Sequence, residues 1–226
     1  MDNPAPNPEL LRSLGRLARG LSALFWSLPA GLVICAETAR ADWLQPWGMI
    51  PALAALALPL YGLWLMGAFQ RQERPWRHAL DRALLPGLVN LGLCPFLYWH
   101  NQMPAVHFFT VALFILALST LVFLFNLNLV IKQLGAMLPD ETLRLETLQF
   151  TALNRWLLAA LLFCAVAYAV LLRDPRLPVA LGALFVWIQD FGFWVLTLFG
   201  LLPLAMTMAL IWKTKEVILD SVFGSK

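Results

Sequence analysis

The sequence predicts an all-α integral membrane protein of about six transmembrane helices, arranged as three hairpins with short amphipathic helices on the cytoplasmic side. Three observations predict it. The 226 residues are 61% hydrophobic and only 13% charged, about half the charge of an ordinary soluble domain. The apolar residues fall in long blocks nearly free of charge, as a hydrocarbon layer about 30 Å thick requires. Between the blocks, the basic residues collect on alternate connections.

The elements follow in order. From Asn7 to Gly20 the pattern is that of a surface helix, with Asn7 as cap, Pro8 at the first helical position and Glu9 near the positive end of the dipole. Leu10, Leu14, Leu17 and Leu21 share one face and Arg12, Arg16 and Arg19 the opposite one, so the helix is expected in the headgroup region of an anionic leaflet. The first span follows from about Leu21 to Glu37. Its basic lead, apolar run and Ala39-Arg40-Ala41 imitate a secretory signal peptide, but the basic region is long and helical in pattern, and we read it as a span.

Thr38 to Trp47 forms a short outer connection, and the second span runs from about Gly48 to Phe69. In the basic stretch Arg71 to Arg82, the residues Trp76, Leu80 and Ala83 mark the apolar face of a second surface helix. The third span, Leu84 to Trp99, turns at His100 to Pro104 into the fourth, Ala105 to Ile131. Lys132 to Arg155 is the most polar segment. Pro139-Asp140-Glu141 can start a helix there, although its apolar residues define no clean face. The fifth span, Trp156 to Leu172, leads through Arg173 to Pro178 into the block Val179 to Trp212. At 1.5 Å per residue that block would reach about 50 Å, too long for one simple crossing. Either Val179 to Ile188 is a short re-entrant piece before a span at Phe191 to Trp212, or one tilted helix protrudes.

Thirteen basic residues, from Arg12 to Lys226, then lie on one side, and Arg40, Arg173 and Arg176 on the other. The positive-inside rule makes the first side cytoplasmic and places both termini there, in the inner (plasma) membrane. The chain divides into an amphipathic N-terminal helix (1–20), a six-span bundle (21–212) and a C-terminal tail (213–226). The three hairpin starts, Leu21, Leu88 and Arg155, recur every 67 residues; equal bilayer crossings give equal periods by themselves, so repetition and coincidence both stand.

Few residues carry chemistry. Cys35, Cys94 and Cys164 sit in apolar stretches without CxxC spacing and read as small buried residues. His100 and His107 flank an outer turn, where haem ligation between facing spans is unsuited, so no metal or cofactor is expected. The candidate intramembrane polar residues are Asp190 and Gln189, which either lie in the hydrocarbon as a cation or solute contact or break the last block at its outer interface. Asn90, Asn126 and Asn128, toward the cytoplasmic half, line a polar pocket or tie helices together. Pro29, Pro59, Pro95 and Pro203 fall within spans and free backbone carbonyls, as in the broken helices of transporters, although neighbouring helices can re-satisfy the backbone. Trp43, Trp47 and Trp99 form an outer aromatic belt, with Trp76, Trp156 and Trp212 the inner one.

No nucleic-acid patch and no catalytic constellation is present. Two functions are expected: an embedded accessory, scaffold or interaction subunit with protein partners or a second copy of itself, or a small-solute or ion permease or substrate-binding membrane component. The anionic cytoplasmic leaflet is the expected lipid partner.

Overall fold

The computed structural model describes residues 8–40, 42–70, 72–137, 141–171 and 200–220. Among them every regular element is a helix: α1 (Pro8–Arg40), a 3-10 turn (Asp42–Trp47), α2 (Ile50–Met66), α3 (Arg74–Leu93), α4 (Pro95–Gln102), α5 (His107–Met137) and α6 (Glu141–Leu171). A further helix, α7, covers residues 200–220. Four stretches of the described residues are long and apolar enough to cross a membrane: Arg12–Arg40, Arg74–Gln102, His107–Met137 and Thr147–Cys164. The apolar α2 is shorter, at 17 residues, or about 26 Å.

Neither surface helix exists as a separate element. The amphipathic stretch expected up to Gly20 and the first span are one helix of 33 residues, about 50 Å long. The stretch around Trp76 is likewise the first half of α3. In both cases the leucine face meets protein. Leu17, Leu21, Leu24 and Leu28 of α1 pack with Leu63 and Met66 of α2, with Phe69, and with Trp76, Leu80 and Ala83 of α3. Trp76, expected in the inner belt, is wholly buried and stands edge-on to Phe69, with ring centroids 6.4 Å apart.

The α3–α4 crossing is one span with a joint. Pro95 has no N–H to donate to the helix and opens α4 at its first turn, while the amide of Cys94 reaches back to Leu91. Pro29 and Pro59 lie inside their helices. Between the 3-10 turn and α2, Gly48 adopts φ 57°, a conformation open to glycine without steric cost.

α1 and α2 approach until their backbones touch. A β-carbon built on Gly20 would lie 2.8 Å from the carbonyl oxygen of Gly62, and one on Gly62 would lie 3.0 Å from that of Gly20. Small residues allow such crossings where lipid supplies no hydrophobic drive between helices. α5 and α6 form an antiparallel hairpin in which Gly135 meets Thr147 and Asn128 meets Asn154.

The main core is not at mid-span. It joins the basic ends of the helices, adding Phe123, Leu124, Leu127, Val130, Ile131 and Leu134 of α5, Leu158 of α6, and Leu210, Ile211 and Ile218 of α7 to the residues above. A smaller cluster, Ala52, Cys94, Leu97 and Leu116, lies toward the other end. Phe25 and Trp212, with rings 5.5 Å apart, join α1 to α7. The cysteines divide: Cys94 is buried, Cys35 half-buried and Cys164 exposed on α6, so the expectation of three buried thiols fails at Cys164, whose helix face packs against no other described element.

Candidate functional site

Where α5, α6 and α7 meet, three polar side chains close on one another. Asn128, Asn154 and Thr207 are each wholly buried. The Asn154 amide nitrogen donates toward Thr207 Oγ1 (2.9 Å), Asn128 Oδ1 (3.1 Å) and the Pro203 carbonyl (3.2 Å). The Asn128 amide nitrogen donates to the Leu124 carbonyl of its own helix (2.8 Å) and to Thr207 Oγ1 (3.0 Å). The Thr207 hydroxyl donates to the Pro203 carbonyl, 2.7 Å away.

The polarity of this network is fixed by its chemistry. Backbone carbonyls only accept, so the Thr207 proton points at Pro203 and the amide groups facing Pro203 and Leu124 must be the NH₂ ends. That leaves Thr207 Oγ1 as acceptor from two different helices, saturating the hydroxyl. Asn128 Oδ1 in turn is left to accept from Asn154. Each orientation supports the next.

Three atoms remain without partners on the inner face of α6: Asn154 Oδ1 and the hydroxyl oxygens of Thr147 and Thr151. Their spacing of four and three residues stacks them on one stripe. Thr147 is pressed against Gly135, where an added β-carbon would lie 3.3 Å from its Cγ2. Amides and hydroxyls hold no ionisable proton near neutral pH. The cluster can orient helices and can bind a water or polar solute, and none of its side chains is ionisable near neutral pH.

Of the residues singled out in the sequence, Asn128 enters this site by its side chain and Pro203 by its backbone carbonyl. Asn126, two positions away and hence on another face, donates to the Val122 carbonyl of its own helix at 2.8 Å. Asn90 of α3 is buried with its Oδ1 unpartnered, apart from the cluster. Gln189 and Asp190 lie outside the described residues. Asn154 and Thr207 were legible by the logic that selected Asn128, since each is a lone polar group at the edge of or inside an apolar block. Among the described residues no group of three His, Cys, Asp or Glu side chains is gathered as a metal site would require. His107 is exposed at the start of α5, and His100, half-buried, keeps Nδ1 without a partner.

Comparisons with protein-family models, curated proteins and solved structures find no match for the chain. The function is therefore argued from the site and the surface alone.

Around the cluster, α6 is inverted relative to a helix of a soluble protein. Thr147, Thr151 and Asn154 face inward, whereas Leu145, Leu153 and Trp156 are 63%, 55% and 78% exposed, with Leu148 and Phe150 exposed between them. Leu145, Leu148, Leu153 and Trp156 lie on the outward half of α6, with the exposed Gln149 among them and Phe150 toward its edge, while the hydroxyls and amide turn toward α5 and α7. The Arg155 guanidinium lies 5.1 Å from the Phe125 ring centre, which leaves the outward face uncharged from Leu148 to Leu153.

Proposed function

We propose that the protein is an embedded accessory, scaffold or interaction subunit of a membrane complex, crossing the inner membrane six times as three hairpins with both termini in the cytoplasm. The observation that carries this reading is the exposed apolar face of α6 beyond the membrane. Asn128 is level with Asn154 and Gly135 with Thr147, so Arg155 lies about five residues, or roughly 7 Å, farther from the hairpin tip than Lys132, and an arginine in mid-bilayer costs at least a few kcal/mol. With Arg155 placed at the interface, the fifth span starts at Trp156 rather than at Thr147, and the hairpin tip, including Leu145, Leu148 and Phe150, stands out of the hydrocarbon.

The height of the core supports the same placement. Hydrophobic burial is driven by water and not by lipid, and the most completely buried leucines and isoleucines, Leu17, Leu21, Leu127, Ile131, Leu134 and Ile211, gather at this end. In a water-facing layer that buries apolar side chains so fully, an uncovered apolar strip marks an interaction surface. Its occupant is a protein partner or a second copy of the chain.

Affinity purification in mild detergent should recover a partner, or a homo-oligomer, in fixed stoichiometry. Leu145→Asn/Phe150→Asn should release it while the helical circular-dichroism signal and the monomer's elution are retained. A wild-type protein that runs as a lone monomer, or a complex indifferent to the double substitution, would sink the reading.

One observation favours the alternative, a small-solute permease or substrate-binding membrane component: the stripe of unpartnered oxygens at Thr147, Thr151 and Asn154. Under that reading a solute from a metabolite panel should raise the melting temperature, and Asp190→Asn or Thr151→Val should reduce the effect.

A further inference from the structure

A hollow of about 600 Å³ opens at the basic end between α1, the end of α2 and α3. Arg16 and Arg19 of α1 and Arg77 of α3 line it with one carboxylate, Asp81, and its apolar wall includes Trp64 and Leu84. A second hollow of about 400 Å³ adjoins it, lined by Arg12, Gly15 and again Arg16 and Arg19. The volumes are those of ordinary small-ligand sites.

The arginines are uncommitted. Among the described residues Arg12, Arg16, Arg19 and Arg77 have no hydrogen-bond or ion-pair partner, and each is exposed. The three guanidiniums that line the first hollow, from two helices, outnumber its one carboxylate, an excess of positive charge that an anion offsets. Guanidinium is also the side chain suited to phosphate, which it meets with two parallel donors.

The hollow is amphiphilic in a defined direction. From the arginines the lining runs along the helices to Trp64, 69% exposed and stacked on Tyr61 at 6.1 Å, and to Leu84, which is followed by the exposed Leu85 and Leu88 of α3. Gly20 and Gly62 bring α1 and α2 into backbone contact at this level, so the floor is rigid. A ligand that puts negative charge among Arg16, Arg19 and Arg77 would lay any apolar tail along Trp64 toward the hydrocarbon.

We propose that this hollow is a binding site for one anionic phospholipid, its phosphate held by Arg16, Arg19 and Arg77 and an acyl chain lying on Trp64. It differs from general attraction of basic residues to a charged leaflet in being a discrete, saturable site. It is independent of what covers α6.

The test is thermal unfolding of the full chain in uncharged detergent, titrated with phosphatidylglycerol, phosphatidylcholine or inorganic phosphate, together with native mass spectrometry of bound lipid. Phosphatidylglycerol should raise the melting temperature saturably and remain bound as one molecule per chain. Phosphatidylcholine and inorganic phosphate should not. Arg16→Gln/Arg19→Gln should weaken phosphatidylglycerol roughly 25-fold, since each basic side chain near an anionic surface accounts for about fivefold. Should that variant fail to fold, Arg77→Gln, on a different helix, should give about a fivefold loss by itself.

The charge-matched variant Arg144→Gln/Lys215→Gln, at basic positions on α6 and α7 that line neither hollow, should leave the titration unchanged. An equal loss there would reduce the site to general surface charge and overturn it. Inorganic phosphate stabilising as well as the lipid would overturn the lipid assignment, as would Trp64→Ala leaving the lipid's advantage over phosphate intact.

Discussion

Two seams hold the helices together, and they work by different physics. The α1–α2 seam depends on Gly20 and Gly62 lacking β-carbons, so that backbone meets backbone. The α5–α6–α7 seam places amides and a hydroxyl in the gap and fills it with directed bonds. The first is sterically strict and chemically neutral. The second is chemically strict and depends on directed bonds that substitution can remove singly, so the two should respond very differently to substitution.

The largest effect is expected at Gly20. A valine there puts carbon atoms inside contact distance of the Gly62 carbonyl oxygen and of Met66 Cγ, both 2.8 Å from the position of a β-carbon. Met66 can swing aside, but a helix carbonyl cannot without moving the helix. Gly20→Val should therefore cost about 3 kcal/mol, the upper range for overpacking, measured by reversible unfolding in mixed micelles. Gly20→Ala should show a smaller cost in the same direction. A neutral alanine would mean that the helices can slide apart and that the crossing is not fixed by the glycines.

Next comes Asn154, the donor common to the second seam. Asn154→Leu removes three contacts at once and leaves Asn128 Oδ1 buried without its donor. Hydrogen bonds between membrane helices average only about 0.6 kcal/mol, with about 1.7 kcal/mol near the maximum, so a loss of about 1.5 kcal/mol is expected, half that at Gly20. A double-mutant cycle of Asn128→Leu with Thr207→Val should give a coupling of about 0.6 kcal/mol. Zero coupling would show that the contacts form without contributing stability, and would leave the polar groups free for a solute.

The contrast between the seams also explains what the sequence could and could not disclose. Helical class and apolar blocks were legible because lipid imposes them residue by residue: α5 covers most of the block read as the fourth span and runs six residues past it, to Met137, and α6 starts at Glu141 as its Pro-Asp-Glu lead suggests. The split of α1 and α3 into surface helix and span was misread. Arg12, Arg16 and Arg19 opposite a leucine stripe give the same pattern whether the stripe meets headgroups or α2. The meeting of Asn128, Asn154 and Thr207 depends on helix rotation and register, set by Gly135 against Thr147 and by the crossing at Gly20; one sequence shows polar residues singly and not which of them share a gap.

Asn126 supplies the smallest expected effect and the sharpest control on the seam comparison. It has the same side chain as Asn128, two residues away on the same helix, and its amide makes the same kind of bond to the carbonyl four residues back, at 2.8 Å in both cases. What it lacks, among the described residues, is any partner on another helix. If that local bond were what stabilises the second seam, Asn126→Leu and Asn128→Leu would cost alike. If the partners on α6 and α7 matter, Asn126→Leu should stay within about 0.5 kcal/mol of wild type, as surface substitutions do, whereas Asn128→Leu should cost about 1 kcal/mol or more. Measured in one micelle series, the difference between these two asparagines reports the interhelical bonds together with the burial of Asn128, and the double-mutant cycle with Thr207 separates the two.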